Sequence, residues 1–339
     1  MKNLRFFRIL IFAVIILLLL TACSKPSVPP TARGYHQMSY DSESGRIVVY
    51  GGQTGDFSDE THNSYETWLF DPKSNGWTQK SPPATPGGFT GGDMTYDSKA
   101  DRSILSVFAW DFTTLQTWAY DDKSDTWTRL ADGPVLMVGQ RLAYDSESDR
   151  IIMFGGFTLN DSKYVDETWV YDYNTDTWTN LQPSVHPNGR NYHGMVYDSK
   201  ADRIVMWGGD IEGGYKPPVW TYDYNTNTWQ ELGNTNAPAV RDYINLAYDS
   251  QADKIIMYGG YSHGNDETWI YDLSTNTWQQ MQPSKNPGTI SRYTMIYVGD
   301  INKTILYGGQ DGPAEFKYLG NTWSYNLKAN RWTDITPGQ

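Results

Sequence analysis

The chain has 339 residues, with 27 Lys and Arg against 39 Asp and Glu, a formal charge of −12, 14 Trp, 25 Tyr and one Cys. So acidic a chain lacks the basic patches on which nucleic-acid binding rests, and a single cysteine cannot form an internal disulfide. Abundant Tyr and Trp without long amphipathic helical patterns exclude a helical bundle and predict an all-β chain.

The first residues read as an export signal. Lys2, Arg5 and Arg8 are followed by twelve apolar residues, Ile9 to Leu20. A membrane-spanning helix needs about 20 such residues, a secretory core about 7–15. The next stretch, "LTACSK" (Leu20 to Lys25), resembles the lipobox of bacterial lipoproteins, which are cut before a cysteine that then carries the lipid. The alternative is an ordinary cleavage site that holds a cysteine. The resemblance implies a signal peptide over 1–22, lipidation (palmitate) at Cys23, a Ser/Pro spacer to residue 32, and a place outside a bacterial membrane, in the cell envelope. One acyl chain binds a membrane only marginally; the multiply acylated cysteine of lipoproteins would anchor durably. Without Lys2, Arg5 and Arg8 the mature chain has 24 basic and 39 acidic residues, a charge of −15.

Beyond the spacer the sequence repeats itself. "DETWVYDYNTDTW" at 166–178 returns as "DETWIYDLSTNTW" at 266–278. The first tryptophan of this phrase falls at Trp68, Trp118, Trp169, Trp220, Trp269 and Trp323, at intervals of 49 to 54 residues. Its partner stands nine residues later each time, at Trp77, Trp127, Trp178, Trp229, Trp278 and Trp332. A "YDSxxxR"-like phrase recurs at Tyr40, Tyr96, Tyr144, Tyr197 and Tyr248, with Tyr297 in the sixth unit. Eleven residues after that tyrosine come Gly51-Gly52, Gly155-Gly156, Gly208-Gly209, Gly259-Gly260 and Gly308-Gly309. The second unit has Val107-Phe108 there, which predicts an irregular connection.

Within a unit four short runs predict strands A to D, in the third unit Gln140–Tyr144, Arg150–Phe154, Thr168–Asp172 and Trp178–Leu181. Trp169 and Tyr171 alternate with Thr168 and Val170, the period-two pattern of a strand. Turn formers fill the A–B and C–D connections. Sheets with large apolar groups on both faces bury them by packing face to face around an axis, each aromatic contributing roughly 1.5–3 kcal/mol.

Double glycine, aromatic strand and tryptophan at a period of about 50 residues resemble the kelch repeat. The resemblance covers residues 33 to 336 and implies a six-bladed kelch-type β-propeller, four antiparallel strands per blade, over 33–339. The expected blades, each contiguous in sequence, are 33–80, 88–130, 137–182, 189–232, 240–282 and 290–336. The ring is then expected to close by packing of the first blade on the sixth.

In this order the variable D–A and B–C loops share one face, and variable loops on a rigid scaffold carry function. The D–A loops hold Arg33, Arg190 and Arg241, seven residues before the strand A tyrosine, each followed two places later by Tyr35, Tyr192 or Tyr243. Arg292 and Tyr293 stand in the sixth unit, displaced by two positions. In kelch domains that bind acidic peptides, arginines before the inner strand line the central cavity, so the resemblance implies a carboxylate-bearing ligand here. The alternative is that these arginines bond backbone carbonyls or Glu66, Glu167 and Glu267. His36 and His193 share a repeat position where a general base or metal ligand could sit; the simpler reading is a histidine bonded to a neighbouring strand. No His/Cys/Asp set has zinc spacing, and no cofactor is expected.

The only cysteine lies outside the repeats, so the Cys–Tyr crosslink of copper radical oxidases on kelch-like blades is excluded. The leading expectation is a monomeric, membrane-tethered binding or scaffold protein that recognises a protein or glycan ligand. The alternative is a carbohydrate-active enzyme resembling a sialic-acid epimerase, with Arg190, His193 and Arg241 in the central funnel.

Overall fold

The computed structural model describes residues 28–55, 60–87, 89–108, 114–134, 137–211, 217–233, 235–261, 266–312 and 317–338. The signal segment expected over 1–22 and Cys23 lie outside these residues.

Six four-stranded antiparallel sheets are present among the described residues, each contiguous in sequence. Strands A to D are Gln37–Asp41, Arg46–Tyr50, Thr67–Asp71 and Gly76–Gln79 in the first blade. They are Phe89–Asp97, Arg102–Phe108, Leu115–Asp121 and Thr126–Arg129 in the second. The third has Arg141–Asp145, Arg150–Phe154, Thr168–Asp172 and Thr177–Asn180. The fourth has Gly194–Asp198, Arg203–Trp207, Trp220–Asp223 and Thr228–Glu231. The fifth has Leu246–Asp249, Lys254–Tyr258, Thr268–Asp272 and Thr277–Met281. The sixth has Thr294–Val298, Lys303–Tyr307, Thr322–Asn326 and Arg331–Asp334. Each strand A touches strand A of the next blade, and the sixth touches the first, so the ring is closed around an axis.

The tryptophans make the seams between blades, and none of the twelve is exposed. The outer indole of each blade leans on its own strand C aromatic, as in Tyr222–Trp229 at 4.9 Å between ring centroids. Its other side meets the last aromatic of strand B in the preceding blade: Tyr50–Trp127, Phe154–Trp229, Trp207–Trp278 and Tyr258–Trp332 at 5.0–5.1 Å, and Tyr307–Trp77 at 4.7 Å across the closure. Four of these indoles also donate Nε1–H to the threonine that precedes the inner tryptophan of strand C next door. They are Trp127 to Thr67, Trp178 to Thr117, Trp229 to Thr168 and Trp332 to Thr268, at 2.9–3.0 Å. Val219 replaces that threonine in the fourth blade, and Trp278 Nε1 is left without an acceptor.

The glycine pairs serve the same seams. All five have positive φ, for example 72° at Gly155 and 116° at Gly156. The second glycine donates its N–H to the entering segment of the next blade: Gly156 to Arg190, Gly209 to Arg241, Gly260 to Ile290 and Gly309 to Arg33, at 2.8–3.0 Å. A Cβ on Gly155 would lie 2.5 Å from the Arg190 carbonyl oxygen. The second blade, without the pair, extends its strands: Phe108 pairs with Leu115, and strand A carries a register shift between Phe89 and Asp93. The irregular connection expected there lies partly outside the described residues.

The closure uses more of the N-terminus than a spacer ending at residue 32 implies. Pro30 stands ten residues before the strand A tyrosine, where Pro86, Pro134, Pro187, Pro238 and Pro287 stand in the other units. The Tyr307 hydroxyl donates to the Pro30 carbonyl at 3.3 Å, and Arg33 N–H to Leu319 O at 3.0 Å. The first linker proline, Pro30, thus already belongs to a seam.

A buried N–H without an acceptor is destabilising, and a net hydrogen bond is worth about 0.5–1.5 kcal/mol. Val219→Thr should therefore raise Tm by on the order of 1–3 °C. Thr168→Val should lower it by at least as much in the same thermal-unfolding measurement.

Candidate functional site

The three D–A arginines are buried in the seams, with 0–1% of their surface exposed. Arg33 donates from Nη2 to Glu66 Oε2 at 2.6 Å and from Nη1 to Gly51 O at 2.8 Å. Arg241 repeats this with Glu267 at 2.8 Å and Gly259 O at 3.2 Å. Arg190 donates to Asn188 O and Gly208 O at 3.1 and 3.3 Å. Each arginine thus ties its linker to the glycine pair and, where present, to the carboxylate before strand C. That carboxylate also accepts the inner indole, Trp68 at 3.1 Å and Trp269 at 2.9 Å. Buried guanidiniums so engaged do not reach a cavity, and the ligand-facing position expected of Arg33, Arg190 and Arg241 is corrected accordingly.

His36 and His193 are 2% and 0% exposed. Each imidazole is wedged between glycines of adjacent blades: a Cβ on Gly308 would meet His36 Cε1 at 2.8 Å, and one on Gly155 would meet His193 Cε1 at 2.9 Å. Ile244 fills the same slot between Gly208 and Gly260. Burial and nearby Arg33 lower His36 to about 3, and burial with Arg190 and Arg141 holds His193 well below its ordinary value. Such rings are neutral, weakly basic fillers rather than general bases, so the catalytic role considered for both is not supported by their placement.

What does gather at the axis is the residue five before each strand A tyrosine: Tyr35, Gly91, Gly139, Tyr192, Tyr243 and Arg292. All six have positive φ, including 58° at Tyr35, 51° at Tyr192 and Tyr243, and 57° at Arg292. Arg292 therefore occupies the tyrosine position rather than a displaced arginine position. Ile290 stands where Arg33, Arg190 and Arg241 stand, and Tyr293 takes the histidine slot, 4% exposed, its hydroxyl donating to Tyr258 O. The left-handed conformation costs a residue other than glycine about 1–2 kcal/mol, and such residues persist where the surroundings hold them.

Here the backbones hold each other. Gly139 N–H donates to Gly91 O at 3.0 Å, Tyr192 N–H to Gly139 O at 2.8 Å, and Tyr35 N–H to Arg292 O at 2.9 Å. The side chains form a crown on the D–A and B–C face. Tyr192 and Tyr243 stack at 4.0 Å, and Tyr35 and Tyr261 meet Tyr243 edge-on at 5.8 and 6.0 Å. The Arg292 guanidinium carbon lies 4.4 Å from the Tyr243 ring centroid, 5.0 Å from Tyr261 and 5.3 Å from Tyr35, and its Nε donates to the Tyr35 hydroxyl. Burial raises the neighbouring Asp242 carboxyl to about 6. The cavity beneath the crown is only about 30 Å³, so the crown is a platform rather than a pit.

Below the crown Arg141 crosses the axis. It donates from Nε to His193 O at 2.7 Å and from Nη2 to Ile244 O at 3.0 Å, and Nη1 lies 3.7 Å from Asp93 Oδ1. Beyond this bar a funnel of about 330 Å³ opens between the A–B turns, lined by Tyr40, Tyr96, Tyr144, Tyr197, Tyr248 and Tyr297. Sequence reasoning used these tyrosines only as register marks. Counting from them would have placed Arg292 in the crown, whereas Tyr261, Asp242 and the funnel carry no local signal.

Burial alone would raise the Glu66 and Glu267 carboxyls, but Arg33 and Trp68, or Arg241 and Trp269, hold both below 4.5. Their stabilisation is therefore complete above about pH 4.5 and is lost as the pH falls through the folded values. In a melting series from neutral to acid pH, the double substitution Glu66→Gln and Glu267→Gln should lower Tm at neutral pH and flatten the acid limb.

The chain matches the KLHDC2/KLHL20/DRC7 Kelch-repeats domain family over residues 90–287 and again over 139–339. Together the two matches take in the second to sixth blades and most of the chain. With its four-stranded blades, glycine-pair seams and ring closure, the chain belongs to the kelch-repeat family and folds as a kelch β-propeller.

Proposed function

We propose that this protein is an envelope-anchored recognition module that binds a carboxylate-bearing protein or glycan ligand on the crown. The observation that carries the reading is Arg292, set among Tyr35, Tyr243 and Tyr261 on strained backbone at the centre of the loop-bearing face. A guanidinium pairs with carboxylates through parallel N–H donors, while tyrosine rings offer rigid contact area at little entropic cost.

The tether supports the same face. Tyr307 pins Pro30 where strand B ends, on the crown side of the ring. With Cys23 lipidated, the six residues 24–29 would separate the anchor from Pro30, and six residues span at most about 22 Å. The crown would then look toward the bilayer, which favours ligands presented from that membrane or its attached glycans. Asp242 would tune the site: as its carboxyl, raised by burial to about 6, takes up a proton, the negative charge near Arg292 is lost.

Arg292→Ala should weaken binding in a screen of acidic peptides and sialylated or uronic-acid glycans by roughly 10- to 100-fold, with Tm nearly unchanged. An undiminished signal would remove the crown reading. Affinity for the captured ligand should rise as the pH falls through about 6, and Asp242→Asn should abolish that rise. Metabolic labelling with palmitate should mark the parent chain and not Cys23→Ser; equal labelling would refute the lipid anchor.

A further inference from the structure

The funnel on the turn side has a chemistry of its own. Six tyrosines line it, and Arg141 with Asp93 closes its floor. The hydroxyls of Tyr96, Tyr144, Tyr197 and Tyr248 donate to Asp101, Asp149, Asp202 and Asp253 at 2.7–3.0 Å. Donating to a carboxylate leaves a hydroxyl oxygen richer as an acceptor. Behind this ring stand the aspartates that follow five of the tyrosines: Asp41, Asp97, Asp145, Asp198 and Asp249, all at most 5% exposed. Their Oδ1 atoms accept backbone N–H groups of the A–B turns, as Asp145 does from Glu147 and Ser148 at 3.0 and 3.1 Å. None of the five is ion-paired with a described Lys, Arg or His. Among the described residues the one cationic side chain lining the funnel is Arg141 at its floor, two of whose nitrogens serve the His193 and Ile244 carbonyls.

We infer that this funnel is a binding site for an organic ammonium ion. Aromatic walls with negative faces, acceptor hydroxyls and unneutralised carboxylates behind them favour a cation with methyl or methylene groups over an anion or a neutral solute. The volume admits a quaternary ammonium such as choline, or the tip of a lysine or N-methylated lysine side chain. The site faces away from the crown, and the Arg141 bar separates the two.

Met38, Met94, Met195 and Met295 line the funnel and report on it directly. The chain from residue 24 onward, which holds every described contact of the ring, is labelled with ¹³C at its methionine methyls. It is titrated with choline, with tetramethylammonium, and with 3,3-dimethyl-1-butanol, the neutral isostere of choline. Saturable shifts of those four methyls are expected with both cations, while Met153, Met206 and Met257, buried within the blades, stay fixed. The neutral isostere should bind about tenfold more weakly or not at all. A lysine or trimethyl-lysine peptide run in parallel separates a protein source of the cation from a free one by whichever binds more tightly. Tyr197→Leu should weaken the response while Tyr197→Phe, which keeps the ring, retains most of it. Unmoved methyls, or equal response to the neutral isostere, would overturn the inference and leave the crown reading untouched.

Discussion

An indole wedged between two sheets is the contact on which everything else rests. Each outer tryptophan packs on an aromatic of its own strand C and on the end of strand B in the preceding blade. No blade therefore completes its core alone. A four-stranded sheet with large apolar groups on both faces is unstable in water, and the ring is the arrangement that gives every face a neighbour. The glycine pairs follow from the same demand: two sheets approach closely enough at their inner corners for backbone of one to bond backbone of the next, and a Cβ there would collide.

That seam explains why the most conspicuous polar residues are structural. An arginine entering a blade meets orphan carbonyls at the glycine corner, and a buried carbonyl needs a donor. Arg33 and Arg241 supply it and gain a carboxylate that also orients the inner indole. Burying such a charge is tolerable only when it is paired and hydrogen-bonded, and the Arg–Glu–Trp arrangement meets that condition. The histidines fill the same corner as Ile244 does, by shape rather than by acid–base chemistry.

The axis is left to do the chemistry, and it has two unlike ends. Toward the variable loops the crown offers one guanidinium and a cluster of tyrosine rings on backbone held in the left-handed region. Toward the turns the funnel offers tyrosine hydroxyls backed by buried carboxylates. Arg141, bonded to carbonyls of two other blades, separates the face proposed for a carboxylate ligand from the one proposed for an ammonium ion.

The architecture was legible because it is periodic: twelve tryptophans at fixed offsets, glycine pairs eleven residues after a tyrosine, and alternation within strands are local signals that each unit repeats. Side-chain direction is not periodic in that sense. Arg33 and Arg292 differ by two positions in register, and only the packed corner shows that one faces a glycine carbonyl and the other the axis. The funnel is formed by one tyrosine from each of six distant segments, so no single stretch announces it. Repetition in the sequence determined the blades and their order; convergence at the axis, a property of the closed ring alone, decided which residues line the crown and the funnel.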